Sequence, residues 1–152
     1  HIYYQAHRAS SRDFAVALRN KIQEEFSQEV KDGKLVVKIL RDTVVGPHVT
    51  NFFEVDVQDP VLFTYFYTWL TLHKGELDVL IHPHSGKGYR DHLQYPVWFG
   101  TRLPLLTEGM LKDETSEISP FGLLTRQANE VVKAGMNSYY YNFPNMYKNW
   151  CI

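Results

Sequence analysis

Leu77-Asp-Val-Leu-Ile-His-Pro-His-Ser-Gly-Lys-Gly88 is the stretch that decides the fold we predict for this chain. Its first five residues alternate between aliphatic and other positions, which predicts a strand with one buried face. The strand ends in His82 and His84, whose side chains point to the same side because residues of a strand alternate between its faces. Neutral imidazole is the commonest metal ligand, so the pair indicates a metal site at this strand end.

The residues that precede this stretch supply the rest of a βαββαβ order. Alternating runs predict strands at 1–6, 34–40, 51–57 and 77–81. A capping box at 10–13 opens a first helix that ends before the Asp32-Gly33 turn, and Asp59-Pro60 opens a second that ends at Gly75. The order predicts an α+β, ferredoxin-like sandwich with two helices on one face of an antiparallel sheet.

The remainder of the chain adds to this sandwich without forming a second domain. We expect an extra edge strand at 95–100, where Pro96 suits an edge, and a third helix at 119–135. The ferredoxin-like core is expected over 1–106, with a helical and irregular extension over 107–152 that covers the open face of the sheet as a lid. At 152 residues, the chain is expected to form one domain.

The predicted topology brings histidines together. The fourth strand lies beside the first, so His1 and His82 should be about one inter-strand spacing, roughly 5 Å, apart. His1, His82 and His84 have the parity opposite to the core residues and should face the open side of the sheet. His48 has the same parity but lies at the opposite end of the sheet. It reaches the other histidines only if its loop curls inward or if a partner subunit supplies it.

Two ligand sets remain open at this point. A facial triad for non-haem Fe(II) would need a carboxylate, for which Glu54, Asp56 and Asp91 are candidates. An all-histidine site is the alternative. His92 follows a few residues after the histidine pair and could fold back toward the metal.

Composition excludes several classes of function. Lys and Arg number 16 against 17 Asp and Glu, a formal net charge of -1, so no nucleic-acid or anionic lipid partner is expected. No apolar run approaches the roughly 18 residues that a membrane span needs. The single cysteine, Cys151, cannot form an internal disulfide, which favours a reducing, cytoplasmic location.

Several motifs, in order over residues 1–106, resemble the DOPA 4,5-dioxygenase family. The combination of Gly-Pro-His, a strand that ends in His-Pro, and Asp-His before a Trp is the most specific part. The resemblance rests on His1-Ile-Tyr-Tyr4, Val45-Gly-Pro-His48, Trp69-Leu70 with Leu72-His-Lys-Gly75, Val79-Leu-Ile-His-Pro83 with Ser85-Gly86, Asp91-His92, and Trp98-Phe-Gly100 through Leu103-Pro-Leu105.

The resemblance implies extradiol cleavage of DOPA or a related catechol by O2. It implies Fe(II), or another divalent metal, and places His1, His48 and His82 at motif histidines, with His92 at another.

Around such a centre the residues suggest further roles. His92 or His84 could act as acid or base for the catechol proton. Arg90 or Lys87 could pair with a substrate carboxylate, and we expect Tyr3 and Trp98 to contact the substrate. The mixed apolar and histidine face of the sheet favours a homodimer. The competing interpretation is a non-catalytic dimeric binding module that pairs through this face.

Overall fold

The computed structural model describes residues 1–85, 87–106 and 150–151, and its α+β architecture confirms the predicted ferredoxin-like sandwich. The predicted third helix and the lid lie outside the described residues. In chain order the elements are β1 (Ile2–Tyr4), α1 (Ala9–Glu25), α2 (Ser27–Lys31), β2 (Leu35–Val37), β3 (Asn51–Phe53), β4 (Val55–Val57), α3 (Pro60–His73), β5 (Asp78–Pro83), α4 (Gly88–Leu93), β6 (Val97–Phe99) and β7 (Trp150–Cys151).

Strand β1 occupies the centre of the sheet. It pairs antiparallel with β3 on one side and with β5 on the other, so that Ile2 lies opposite both Phe53 and Val79. Strand β2 pairs with β4, and β6 pairs with the outer edge of β5. The predicted extra edge strand is therefore confirmed, although it is shorter than the 95–100 expected.

The strand predicted over 51–57 is in two pieces, β3 and β4, separated at Glu54. The interruption falls where the neighbour changes, because β3 pairs with β1 whereas β4 pairs with β7. Strand β7 also pairs with β5, and Cys151 lies opposite both Asp56 and His82. Strands β7 and β1 thus both pair with β5 on one side, and on the other side β7 pairs with β4 whereas β1 pairs with β3.

The helices pack on one face of the sheet and bury the main core. Helix α1 contributes Leu18 and Ile22, and α3 contributes Phe66 and Leu70, all at most 4% exposed. The predicted capping box at 10–13 is wrong. Helix α1 already begins at Ala9 with Arg8 at the cap position and no side-chain cap, so Ser10 lies inside the first turn. The Ser11 hydroxyl accepts from the Gln5 backbone nitrogen.

Helix α3 begins as the sequence predicts. The Asp59 carboxylate accepts from the backbone nitrogens of Val61 and Leu62 at 2.8 Å each, and Pro60 takes the first helical position. A side-chain acceptor at this place satisfies backbone donors that have no partner inside the helix. Among the described residues, no helix is both long and apolar enough to cross a membrane.

Asp42 tethers the start of the loop between β2 and β3, the loop that carries His48. Its carboxylate accepts from the Tyr4 hydroxyl at 2.7 Å and from the Arg12 guanidinium at 2.8 Å. The hydrogen bond from Arg12, and then that from Tyr4, lower the pKa of the Asp42 carboxyl below its ordinary value. Ionised Asp42 therefore links the loop to β1 and α1.

This tether predicts an acid-dependent part of the stability. A carboxyl whose folded pKa is depressed contributes stability above its unfolded pKa of about 3.9, and loses it as the pH falls through the folded value. We expect Asp42→Asn to lower the free energy of unfolding at pH 7, and the difference from wild type to shrink between pH 5 and pH 2.5. Urea denaturation across this range measures it, and a pH-independent difference would contradict the prediction.

Candidate metal centre

The face of the sheet opposite the helices carries the histidines, as their parity predicts. His1 and His82 share this face with a small apolar cluster of Tyr3, Phe52 and Leu80. This cluster is covered by Trp98, Leu103 and Leu105, which follow in the chain after β5. The site face is therefore a second, smaller packed layer rather than an open surface.

His1 and His82 lie side by side at the junction of β1 and β5. Their Nε2 atoms are 3.0 Å apart, their ring centroids are 5.1 Å apart, and both residues are at most 3% exposed. The backbone nitrogen of His1 donates to the Leu80 carbonyl at 2.8 Å, which holds the two strands in register. Two nitrogens about 3 Å apart can bind one metal ion at about 2.1 Å each. The expected proximity of these residues is confirmed.

His92 joins the pair from a helix that was not predicted. The segment after His84 turns back as α4, and its His92 ring lies 4.0 Å from the His82 ring and 5.4 Å from the His1 ring, measured between centroids. Each of these three histidines offers one nitrogen, and the three nitrogens lie within 4.8 Å of one another. His1, His82 and His92 could therefore hold a metal ion. We call them the histidine trio.

Hydrogen bonds orient the rings of His82 and His92, and a contact with a carboxylate faces the ring of His1. The Nδ1 atoms of His82 and His92 contact the backbone carbonyls of Pro83 and Gly88 at 2.8 Å each. A carbonyl can only accept, so Nδ1 carries the proton in both rings and Nε2 carries the lone pair. The Nδ1 atom of His1 faces the Glu54 Oε1 at 3.2 Å. Such partners fix the tautomer and orientation that a metal ligand needs.

His48 reaches the trio within the same chain. Gly46 adopts a positive φ of 63° that directs the Gly46-Pro47 turn inward, and His48 forms an isolated bridge with Leu105. The Leu106 nitrogen donates to the Pro47 carbonyl at 2.7 Å, which pins the turn over the site face. The His48 ring is then 4.1 Å from that of His1, between centroids, and 1% exposed. The inward loop, and not a partner subunit, places His48 here.

The residues expected to contact substrate differ in position. The Tyr3 hydroxyl is 2.8 Å from His48 Nδ1, and the Tyr3 ring stacks on Trp98 with an interplanar angle of 13°. The Trp98 indole nitrogen is buried and has no hydrogen-bond partner in the part of the chain that is described. Arg90 lies exposed on α4. Tyr3 therefore adjoins the histidines, with Trp98 stacked against it, whereas Arg90 is at the surface.

The carboxylates of Glu54 and Asp56 lie beside the trio, in contact with Lys38. Lys38 Nζ bridges them, at 2.6 Å from Glu54 Oε2 and 3.1 Å from Asp56 Oδ2. His84 Nε2 lies 3.8 Å from Asp56 Oδ1, and the His84 ring is 5.3 Å from the His82 ring between centroids. Its nitrogens do not belong to the group that could share an ion. The sequence analysis did not identify Lys38. Its position in the alternating pattern could have indicated it, because Lys38 continues β2 on the face opposite to the core residues and lies beside Glu54.

Asp91 ties α4 to the end of β5. It is 3% exposed and accepts from the Ser85 nitrogen at 2.9 Å and from the Ser85 hydroxyl at 2.5 Å. Burial raises the pKa of the Asp91 carboxyl, and the hydrogen bonds from Ser85 oppose this shift. Asp91 therefore acts in the structure as an anchor that sets the distance between His82 and His92.

One described cleft lies away from the trio. A cavity of about 450 Å³ opens at the other end of β1, where Gln5, Arg8 and Glu76 line it. Of the residues around the histidines, Tyr3 and Leu103 also line this cavity, but no member of the trio does. The trio is therefore not part of this cleft.

Comparison with known proteins places the chain in a family. Residues 1–109 match the Dopa 4,5-dioxygenase family, which covers every residue of the site described above. The chain belongs to this family.

Individual relatives and a solved structure are similar to this chain. The chain is 33% identical over 114 residues to an uncharacterised 21.2 kDa protein of Botryotinia fuckeliana, covering 69% of this chain and 58% of that protein. It is 29% identical over 108 residues to the DOPA 4,5-dioxygenase of Amanita muscaria, covering 69% of this chain and 45% of that protein. The chain thus spans about half the length of the curated relatives it matches.

A crystal structure of a candidate dioxygenase from Nostoc punctiforme has the same fold. It superposes with a TM-score of 0.62 at 29% identity, covering 73% of this chain and 87% of that protein. The family and the fold therefore agree with the ferredoxin-like architecture derived from the strand order.

The Asp91 anchor yields a prediction for this site. Asp91→Ala removes the acceptor for both Ser85 donors, so we expect it to lower the free energy of unfolding by about 1–3 kcal/mol. Ser85→Ala is the matched control, because it removes the hydroxyl donor but keeps the backbone one. We expect it to cost less than half as much in urea denaturation. Equal losses would contradict the anchoring role of the carboxylate.

Proposed function

We propose that this chain is the catalytic core of an extradiol-type dioxygenase that opens the ring of DOPA or a related catechol with a histidine-bound metal, Fe(II) in the first place. The observation that carries the proposal is the convergence of three buried imidazoles, each with Nδ1 turned toward an oxygen acceptor. Membership of the Dopa 4,5-dioxygenase family supports the reaction class.

The donor set fits the metal. Imidazole nitrogen suits Fe, Zn, Cu and Ni, and three ligands leave positions open for substrate. When bound, Fe(II) supplies a centre at which catechol and O2 are held side by side, which replaces a bimolecular encounter by an oriented one. His1, His82 and His92 are the ligands we propose. The near-complete burial of the trio excludes bulk water from this position.

His48 is the residue we propose for proton transfer. Its ring stands next to that of His1, and its Nδ1 is linked to the Tyr3 hydroxyl. Tyr3 can therefore keep the ring in place while the other nitrogen exchanges a proton with the catechol. This assignment exchanges the roles that the sequence suggested for His48 and His92. Both assignments are proposals that metal titration distinguishes.

Substrate contacts are proposed for Trp98 and Tyr3. Their stacked rings form an aromatic wall beside the histidines, and the buried indole N–H of Trp98 can donate to a substrate oxygen. Arg90, exposed on α4, is proposed to meet the carboxylate of an amino-acid substrate at the rim. A tryptophan donor inside and a guanidinium outside suit a catechol that carries a charged side group.

The competing binding module has less support. It would pair through the face of the sheet opposite the helices, but Tyr3, Phe52 and Leu80 of this face are at most 3% exposed under Trp98 and its neighbours. A homodimer by another surface remains a proposal. We also propose that residues 107–152 cover the site, although they lie outside the described part of the chain apart from β7.

Metal titration tests the ligand set. We expect wild type to bind one Co²⁺ or Fe²⁺ per chain without oxygen, His1→Ala, His82→Ala and His92→Ala to lose this binding, and His48→Ala to keep it. His73→Ala is the matched control, since His73 bonds the Trp69 carbonyl on α3, away from the sheet's site face. Calorimetry gives the stoichiometry and circular dichroism the fold. Full binding by His92→Ala, with loss in His48→Ala, would support the ligand set suggested by the sequence.

Activity tests the reaction. Protein loaded anaerobically with Fe²⁺ and given DOPA in air should take up one O2 per catechol and place both oxygen atoms in a yellow ring-opened product. Mass spectrometry after reaction in ¹⁸O2 counts the atoms. We expect His48→Ala to keep its metal but lose turnover by about 100-fold or more, the usual scale for a general acid or base. No oxygen uptake by the metal-loaded wild type would contradict the proposed reaction.

A further inference from the structure

Glu54 stands between the histidine trio and the charged groups beyond it. It lies at the break between β3 and β4, with Oε1 3.2 Å from His1 Nδ1 and Oε2 2.6 Å from Lys38 Nζ. Its side chain is 18% exposed, so water screens these contacts only in part. One carboxylate therefore contacts an imidazole and an ammonium at the same time.

We propose that Glu54 is a positioning residue for the metal centre: it holds the His1 ring with Nδ1–H toward the carboxylate and the Nε2 lone pair toward His82 and His92. The inference rests on the metal centre proposed above. A carboxylate that accepts from the far nitrogen of a ligating histidine fixes the tautomer and raises the basicity of the ligating nitrogen. Glu54 would thereby act on metal affinity without binding the metal.

His1 needs such a partner more than the other two rings do. His82 and His92 are oriented by carbonyls of their own segments, Pro83 and Gly88, which the strand end and the helix supply directly. The corresponding acceptor for His1 is a side chain with several rotatable bonds. It can hold the ring only if its own position is held, and the charge pair with Lys38 provides this restraint.

Lys38 also explains how a carboxylate can lie here without joining the ligands. Its ammonium contacts Glu54 Oε2 and Asp56 Oδ2 together, which directs one oxygen of Glu54 toward Lys38 and leaves the other for His1. Among the described residues, the group close enough to share an ion contains the three histidines and no carboxylate. The negative charge of Glu54 thus acts on the proposed metal ion through the His1 ring, without direct coordination.

Co²⁺ titration of four proteins tests the inference. We expect Glu54→Leu to bind Co²⁺ about 10 to 100 times more weakly than wild type, the usual cost of losing such a partner. Glu54→Gln keeps an acceptor oxygen but no charge, so its loss should be smaller. Asp56→Asn is the matched control: it removes one negative charge from the same Lys38 cluster and should leave the affinity near wild type. Equal losses in Asp56→Asn and Glu54→Gln would show that overall charge, not contact with His1, is responsible.

A second measurement separates positioning from a general structural effect. Protons on the Nδ1 atoms of Co²⁺-bound imidazoles give strongly shifted proton NMR signals, which disappear when the proton exchanges rapidly with water. We expect three such signals in wild type and in Asp56→Asn, and two in Glu54→Leu, because only the His1 proton loses its acceptor. If Glu54→Leu keeps three signals and wild-type affinity, the inference is wrong while the metal centre stands. If wild type binds no Co²⁺, both fail together.

Discussion

The two antiparallel pairings of β1 fix which residues of three strands share a face. Ile2 lies opposite both Phe53 and Val79, so the core side chains of β1, β3 and β5 meet under the helices. The same register sends His1 and His82 to the other face, because side chains alternate. A slip of one residue would move His1 into the core and Ile2 out of it. The hydrophobic pattern that stabilises the core therefore also places the histidines.

Two further segments complete the site, and hydrogen bonds hold both, from a side chain in one case and from the backbone in the other. Helix α4 carries His92 back to the strand end, anchored through Asp91 and Ser85. The Gly46-Pro47 turn carries His48 inward, pinned by the 105–106 segment. Rings that are packed and hydrogen-bonded lose little freedom when they bind a ligand, which is the condition for a precise metal site. Local backbone geometry thus prepares the trio and its neighbour before any ligand binds.

The charged side chains near the proposed metal centre lie outside the histidine trio. Neutral imidazoles surround the expected ion, while Glu54 and Asp56 remain paired with Lys38 in the next layer. A divalent ion with neutral ligands keeps its full charge for an anionic catechol, whereas direct carboxylate ligands would reduce it. In the proposed centre, the charge of Glu54 would act at a distance, through His1, and would leave the open positions for substrate.

The sequence by itself determined the βαββαβ order, the Asp59 cap, the edge strand and the shared face of His1 and His82, because a period of two residues reports the face of each strand position. Only the tertiary structure decided that α4 and an inward turn bring His92 and His48 to that face, and that Lys38 restrains Glu54. These contacts join residues distant in sequence, and ring orientation depends on which oxygen lies near each nitrogen. Periodicity carries no information about loop paths or hydrogen-bond partners, so only the folded chain reveals them.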